Sequence, residues 1–168
     1  MTPRNVYRRS PSPAPKAASD DEAPAAQVDV CCTPLRLAPG ADLRSALEAA
    51  AIRGGAGSAF VVSGIGSLTD ARLRLAGAQT ETLVPGKVEI LCLSGTLTVD
   101  GAHLHMAVSD ERGRVIGGHV CYGNTVRTTA ELLLAPLSRW QLAREFDPLT
   151  GYRELVVRPV PDAPENAT

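Results

Sequence analysis

The chain has 168 residues, of which 44% are apolar and 21% charged, and its net charge at pH 7 is −1. This composition suits one globular domain with some chain left for tails, and the absence of an apolar run of about eighteen residues argues against a membrane span. A pI near 6.3 also argues against the broad basic face of a strong DNA-binding domain. With no charged and then apolar leader, we expect a cytoplasmic protein with no membrane partner.

Residues 1–27 are rich in Pro, Ser and Ala and poor in large apolar side chains. Such a segment buries too little surface to offset the entropy of ordering, so we expect a disordered N-terminal tail. Its basic residues would allow weak contact with phosphates, although a solubilising tail is the favoured interpretation. They are Arg4, Arg8, Arg9 and Lys16. We place the folded domain at residues 28–160 and a short C-terminal tail at 161–168.

One helix is predicted over residues 41–55. Leu43, Leu47 and Ala50 recur at helical spacing, and Gly54 provides a stop. Almost all the rest reads as strand, separated by turn signals. The predicted strands are SAFVVSG (58–64), DARLRLA (70–76), KVEILCLSGTLTV (87–99), HLHMAVS (103–109), RVIGGHVCY (114–122), ELLLAPL (131–137) and ELVVRPV (154–160). Many strands without strand–helix alternation indicate an antiparallel sheet covered by helices on one side.

The four cysteines, Cys31, Cys32, Cys92 and Cys121, show neither CxxC spacing nor the density of a disulfide scaffold. We interpret them as small, mostly buried side chains. The glycine pair in GIGSL, residues 64–68, is not followed by a helix, so we expect a tight turn rather than a phosphate site.

Three arginines, Arg72, Arg74 and Arg127, have two interpretations. They would form a basic patch if three subunits assembled. The favoured interpretation is a solvated outer face that discourages edge pairing.

All three histidines lie between residues 103 and 119. Side chains alternate along a strand, so in HLHMAVS the apolar Leu104 and Met106 face the core while His103 and His105 face away from it. If Glu111 to Gly113 form a three-residue hairpin loop, Asp110 pairs with Arg114 and His105 lies opposite His119.

The apolar residues support this register independently. It sets Leu104 against Val120 and Val108 against Ile116, whereas a slip of one residue would turn the apolar side chains outward. On the other side, a two-residue turn at Asp100-Gly101 would pair Thr98 with His103 and Thr96 with His105.

Three imidazoles that converge from two strands match a zinc site with an open coordination position. The alternative is a hydrogen-bonded histidine cluster at a surface or interface. We therefore predict that His103, His105 and His119 hold zinc or a similar divalent metal. Glu89 and Glu131 are the nearest carboxylate candidates by strand position, but nothing in the sequence brings either to the histidines, and no catalytic residue is assigned.

Residues 33 to about 157 resemble the plant and prokaryote conserved (PPC) domain family. The matching motifs, in order, are PGADLRSALEA, VVSGIGSLTDARLR, GKVEILCLSGTL, DGAHLHMAVSDERGRVIGGHV, VRTTAELLL and FDPLTGYRELVV. The resemblance implies a single domain with an α+β fold, in which helices flank a central antiparallel sheet, and a homotrimer. It also implies that His103, His105 and His119 correspond to a trio that holds metal in some prokaryotic members.

The chain departs from the plant members of that family at two places. It has no AT-hook core, and Pro3-Arg4 is no substitute, so the resemblance supports DNA binding only weakly. The segment associated with partner binding in plant members reads GKVEIL at residues 86–91, without the aromatic residue, and we expect a core strand there.

Two functions from different classes follow. The first is a trimeric, metal-binding protein with a DNA-associated or regulatory role, in which the metal serves structure or sensing. The second is a metal-dependent enzyme that acts on a small molecule through the three histidines and requires a cleft with a carboxylate about one water from the metal.

Overall fold

A computed structural model describes residues 32–54 and 57–161. The expected tail at residues 1–27 and Cys31 lie outside the described residues, as do residues 162–168. The elements in chain order are β1 (Thr33–Leu37), α1 (Leu43–Arg53), β2 (Ala59–Leu68), β3 (Ala71–Arg74), β4 (Thr82–Val84), β5 (Val88–Thr98), β6 (Gly101–Ser109), β7 (Val115–Val120), β8 (Val126–Pro136), β9 (Trp140–Asp147) and β10 (Tyr152–Pro159).

Eight of the strands form one antiparallel sheet in the order β1-β8-β2-β5-β6-β7-β3-β4. The remaining two, β9 and β10, form a separate hairpin and pair with no other strand among the described residues. In the described part of the chain, no helix is long and apolar enough to cross a membrane.

The expected α+β fold with helices flanking the sheet is wrong. Strands hold 60% of the described residues and helix only 9%. Apolar side chains from seven strands form a single buried cluster, which includes Val61, Leu97, Leu104 and Leu132. The strands therefore supply most of the core themselves, and in the described part of the chain one short helix packs against them.

Helix α1 follows from local signals in the sequence. Its N-cap is Asp42, whose carboxylate accepts a 2.8 Å hydrogen bond from the backbone N–H of Ser45, and Gly54 ends it. Leu43 and Leu47 are fully buried against the sheet. The helix predicted over residues 41–55 is confirmed, with its ends trimmed.

The predicted strands are all present, and three others were not predicted. These are β1, β4 and β9. The turn expected at GIGSL is wrong, because residues 64–68 continue β2, where the pairing with β8 shifts in register. The GKVEIL segment forms the start of core strand β5, as expected.

The hairpin between β6 and β7 has the predicted three-residue loop. The N–H of Asp110 donates to the carbonyl of Arg114 at 3.0 Å, and Gly113 takes the left-handed conformation at φ 74°. The Asp110 carboxylate accepts from the N–H groups of Arg112 and Arg114. The register that places His105 opposite His119 is confirmed.

The register predicted between β5 and β6 is wrong by two residues. Thr98 pairs with Gly101, so Val99 and Asp100 form the turn, and His103 pairs with Thr96. The Thr98 hydroxyl closes this turn by donating to the Gly101 carbonyl and accepting from the Asp100 N–H. A shift of two preserves the faces, so the histidines still point outward.

Candidate metal centre

The histidines lie in a row that crosses four strands on the outer face of the sheet. Ser94 of β5 pairs with His105 of β6, which pairs with His119 of β7, which pairs with Arg74 of β3. Directly paired residues share a face, so these side chains project side by side. His103 lies two residues along β6 from His105 and therefore projects from the same face.

The three imidazoles lie close enough together to be ligands of one metal ion. Nε2 of His105 lies 3.1 Å from Nδ1 of His119, and one ring nitrogen from each histidine lies within 4.8 Å of the others. The ring centroid of His103 is 5.0 Å from that of His105 and 5.2 Å from that of His119. His103 and His119 are half-buried, while His105 is exposed.

Small residues allow the strands beneath the histidines to pack closely. Ala107 pairs with Gly117 beside the histidine row. At Gly118 a Cβ atom would lie 2.8 Å from the carbonyl oxygen of Arg74. The Gly-Gly-His sequence thus lets β3 approach β7 and places Arg74 beside His119.

The β9–β10 hairpin lies over His103. The Arg144 guanidinium donates to Oγ1 of Thr96 at 2.7 Å, and the Arg144 N–H donates to the Asp100 carboxylate at 2.8 Å. Glu154, from the other strand of the hairpin, is half-buried and lines the space beside His103. No local pattern in the sequence connects Arg144 or Glu154 with the histidines, and only the tertiary position of the hairpin reveals them.

Arg44 of α1 fixes the strands that carry His103 and His119. Its guanidinium donates to the carbonyls of Ala102 at 2.8 Å and of Val120 at 2.9 Å, each one residue from a histidine. It also pairs with Glu48 at 3.0 Å. Arg44 therefore joins β6 and β7 just beyond the end of their pairing.

Burial lowers the pKa of His103, and the positive charge of Arg144 and the two neighbouring imidazoles lower it further against an opposing effect of Glu154. Burial also lowers the pKa of His119, and Arg74 and His105 add to this effect. Both shifts favour the neutral imidazole, which is the form that binds a metal.

The donor set fits a zinc-type ion. Tetrahedral coordination with nitrogens about 2.0 to 2.1 Å from zinc places the donor atoms roughly 3.3 Å apart. The His105–His119 separation of 3.1 Å is close to that spacing, and the ring nitrogen of His103 lies within 4.8 Å of both. The residues present therefore suit a site with three protein ligands.

The carboxylates considered from the sequence lie elsewhere. Glu89 pairs with Arg127 at 2.9 Å, and Glu131 is exposed on β8, one strand beyond β2. Arg72 pairs with Glu81 at 2.6 Å.

The expectation of mostly buried cysteines is wrong for Cys92, which is exposed, while Cys32 and Cys121 are partly buried free thiols.

A cavity of about 840 Å³ opens beside His103 and His119. Its charged lining consists of Arg44, Arg74, Arg144, Arg153, Asp100 and Glu154. A smaller cavity of about 330 Å³ lies beside His103 and His105 and is lined by Arg144 and Glu154 as well. The histidines thus border open clefts on both sides.

Comparison with known proteins gives a family match over most of the described chain. The family model described as the Plants and Prokaryotes Conserved (PCC) domain matches residues 32–138. Two curated proteins from Synechococcus sp. strains JA-2-3B'a(2-13) and JA-3-3Ab, each named Bifunctional protein GlmU, are 46% identical to this chain over 78% and 77% of it. The match covers 21% of each relative, so the chain spans about a fifth of their length.

Solved structures share the fold. A hypothetical protein from Salmonella cholerae-suis is 40% identical, with a TM-score of 0.73 over 76% of this chain and 93% of that one. AF0104 from Archaeoglobus fulgidus, described as a metal-containing protein, is 27% identical, with a TM-score of 0.65 over 74% of this chain and 92% of that one. A protein from Bacteroides thetaiotaomicron, to which DNA binding is provisionally ascribed, is 19% identical, with a TM-score of 0.67 over 77% of this chain and 94% of that one.

Proposed function

Since the chain belongs to the Plants and Prokaryotes Conserved domain family, we propose that it is a homotrimeric, metal-binding regulatory protein of that family. His103, His105 and His119 would hold one zinc or similar divalent ion. The observation that carries this proposal is the convergence of three ring nitrogens within 4.8 Å of one another. The metal-containing relative from Archaeoglobus fulgidus supports it.

The surroundings of the histidines support metal binding over a plain hydrogen-bonded cluster. His103 and His119 have lowered pKa values, because burial and nearby positive side chains outweigh the opposing charge of Glu154 at His103. Arg44 holds the two strands at the residues next to these histidines. A bound ion would supply Lewis-acid chemistry or a structural link between β6 and β7.

We expect about one zinc ion per chain in protein purified without an affinity tag, and loss of that ion in His105→Ala. Removal of a coordinating nitrogen should weaken binding by at least about a hundredfold, because loss of a residue that only supports a ligand already costs 10- to 100-fold. Elemental analysis of the purified protein gives the metal content. Ser94→Ala, which changes the neighbour of His105 in the same row, is the matched control and should keep its zinc.

A wild-type protein that stays metal-free after incubation with zinc would contradict this expectation. The histidines would then form a hydrogen-bonded cluster, with the 3.1 Å contact between His105 and His119 as its central bond.

An exposed apolar surface supports the homotrimer. Phe60, Val62, Ile65 and Leu91 lie on the outer face of neighbouring strands β2 and β5 and are between 40% and 53% exposed. We call these four residues the outer apolar patch. Adjacent exposed side chains of this size are typical of protein interfaces, and second copies of this chain are the partners that we propose.

We expect sedimentation equilibrium to give three times the chain mass of 17.6 kDa. Ile65→Asp introduces a charge into the outer apolar patch and should dissociate the trimer, because an unpaired charge is costly to bury. Leu83→Asp is the control, since Leu83 is similarly exposed but lies on edge strand β4. A monomer in the wild type, or equal dissociation in both variants, would contradict the proposed interface.

DNA is one target for the regulatory role. The Bacteroides thetaiotaomicron protein suggests it, although a likeness at 19% identity shows the fold alone. The net charge of −1 and the absence of an AT-hook core give the chain little sequence-independent attraction to phosphates. We therefore expect any DNA association to be weak and strongly dependent on salt.

A metal-dependent enzyme is the second candidate, and Glu154 is the observation that favours it. This half-buried carboxylate lines both cavities, and its charge acts on His103. A carboxylate beside a metal site is suited to accept a proton from water. Zinc-dependent turnover that disappears in Glu154→Gln, while zinc content is retained, would establish this function over the regulatory one.

A further inference from the structure

The cavity of about 840 Å³ beside His103 and His119 has a positively charged lining. Four arginines, Arg44, Arg74, Arg144 and Arg153, face two carboxylates, Asp100 and Glu154. Two of the arginines have carboxylate partners. Glu48 lies 3.0 Å from Arg44, and Asp100 lies 3.4 Å from Arg153. Among the described residues, Arg74 and Arg144 have no carboxylate within ion-pair distance, although the charge of Glu154 acts on Arg144.

Arg74 and Arg144 stand on opposite sides of the histidine group. Arg74 is the cross-strand neighbour of His119. The guanidinium of Arg144 is held on Thr96, which is the cross-strand neighbour of His103. Strand register therefore places Arg74 beside His119, and a hydrogen bond to Thr96 holds Arg144 beside His103.

Both arginines retain unused donors. One side-chain nitrogen of Arg74 donates to the carbonyl of Ala78 at 3.4 Å, and one of Arg144 donates to Thr96 at 2.7 Å. Their other guanidinium N–H groups have no hydrogen-bond partner among the described residues. A planar guanidinium with free N–H groups is matched to the oxygens of a carboxylate or phosphate.

We propose that this cavity binds a small molecule through a compact oxyanion, a phosphate or a carboxylate, held between Arg74 and Arg144 beside the metal. The inference rests on the proposed function in one respect, since the bound metal ion would add attraction for the anion. The cavity volume lies within the range of about 300 to 1,000 Å³ that is common for small-molecule sites. A half-open cavity of this size has room for a small metabolite.

The experiment is isothermal titration calorimetry of the full chain, zinc-loaded and metal-free, with inorganic phosphate and with succinate. We expect at least one of the two anions to bind, more tightly to the zinc-loaded protein. Arg74→Gln and Arg144→Gln should each weaken binding by about 10- to 100-fold, the effect of losing a hydrogen bond to a charged group. Arg144→Lys keeps the positive charge but lacks the planar set of guanidinium N–H donors, so it should weaken binding less than Arg144→Gln does.

Arg158→Gln is the matched control. Arg158 lies on the same hairpin and pairs with Glu145 at 2.6 Å, and it does not line the cavity. This variant changes the net charge by the same amount and should bind the anion as the wild type does. Thermal unfolding of every variant verifies that each one folds, so that displacement or unfolding of the β9–β10 hairpin is not mistaken for the loss of a ligand contact.

The two proposals fail in distinguishable ways. If zinc is present but neither anion binds, or if Arg158→Gln weakens binding as much as Arg144→Gln, the anion site is excluded and the metal site stands. If zinc is absent but anion binding depends on Arg74 and Arg144, the metal proposal falls and the anion site stands. If a DNA duplex of about 20 base pairs binds in an Arg144-dependent way and neither small anion competes, the cavity belongs to a nucleic-acid surface and the inference is overturned.

Discussion

Zinc affinity is expected to fall steeply as the pH is lowered from 7.5 to 5. Zinc binds the neutral imidazole, so each histidine must release its proton before it coordinates, and affinity is lost as the pH falls through each pKa. For an imidazole with an ordinary pKa near 6.5, the neutral fraction at pH 5 is roughly one thirtieth, which gives a limit of roughly 30,000-fold for three such groups.

The lowered pKa values of His103 and His119 reduce that loss. These two imidazoles stay neutral to lower pH, so the fall in affinity should be smaller than the limit but still more than about tenfold. In the metal-free protein the same shifts mean that the unfolded chain binds more protons between the ordinary and the lowered pKa. The free energy of unfolding should therefore decrease as the pH falls through that window.

Competition with a chromophoric zinc chelator between pH 5 and 8 measures this dependence. Arg74→Gln tests its cause, because removal of a positive neighbour raises the pKa of His119 and moves the loss of affinity to higher pH. A flat profile over the whole range would show that the histidines do not coordinate the metal.

Arg44→Ala is expected to lower both the stability of the domain and its affinity for zinc. The substitution removes charged hydrogen bonds to the carbonyls of Ala102 and Val120 and the ion pair with Glu48. It also removes the contact with Tyr122, whose ring centroid lies 4.5 Å from the guanidinium carbon. Partly buried carbonyls without a donor are costly, so we expect a loss of about 2 to 4 kcal/mol.

Thermal unfolding measures this effect, which should lower Tm by roughly 10 °C for a domain of this size. Arg158→Ala removes an exposed ion pair and should cost less than about 1 kcal/mol, so it serves as the control. Zinc affinity should fall with Arg44→Ala alone, because Arg44 fixes the backbone next to His103 and His119. Equal Tm values for the two variants would mean that water replaces the guanidinium at both carbonyls.

The histidine group could be predicted because its determinants are local. Alternation on β6, a three-residue turn and the match of apolar side chains together specify that His105 faces His119. The turn between β5 and β6 was harder to predict. Asp100 is engaged by Arg144 and Arg153 from a distant hairpin, and Thr98 closes the turn through its own hydroxyl. A dipeptide turn signal contains none of that information.

The rest of the site depends on contacts between distant parts of the chain. The hydrogen bond from Arg144 to Thr96 joins residues that lie 48 positions apart in the chain. Strand β9 also shows no clear alternation of buried and exposed side chains, because Leu142 is the one buried residue in this strand. The fold class failed for a related reason. Composition and periodicity identify strands but do not report how much of the core the strands supply themselves, so the number of helices was overestimated.

The hairpin loop at Glu111 to Gly113 also constrains how this sequence can change over evolution. Glu111 and Arg112 are exposed, so many side chains are tolerable there, whereas the number of residues is not free. An insertion of one residue would rotate His119 toward the apolar interior, and an insertion of two would keep it outward but opposite a different partner. Across related sequences, the fourteen-residue spacing from His105 to His119 should therefore be preserved more strictly than the loop residues that span it.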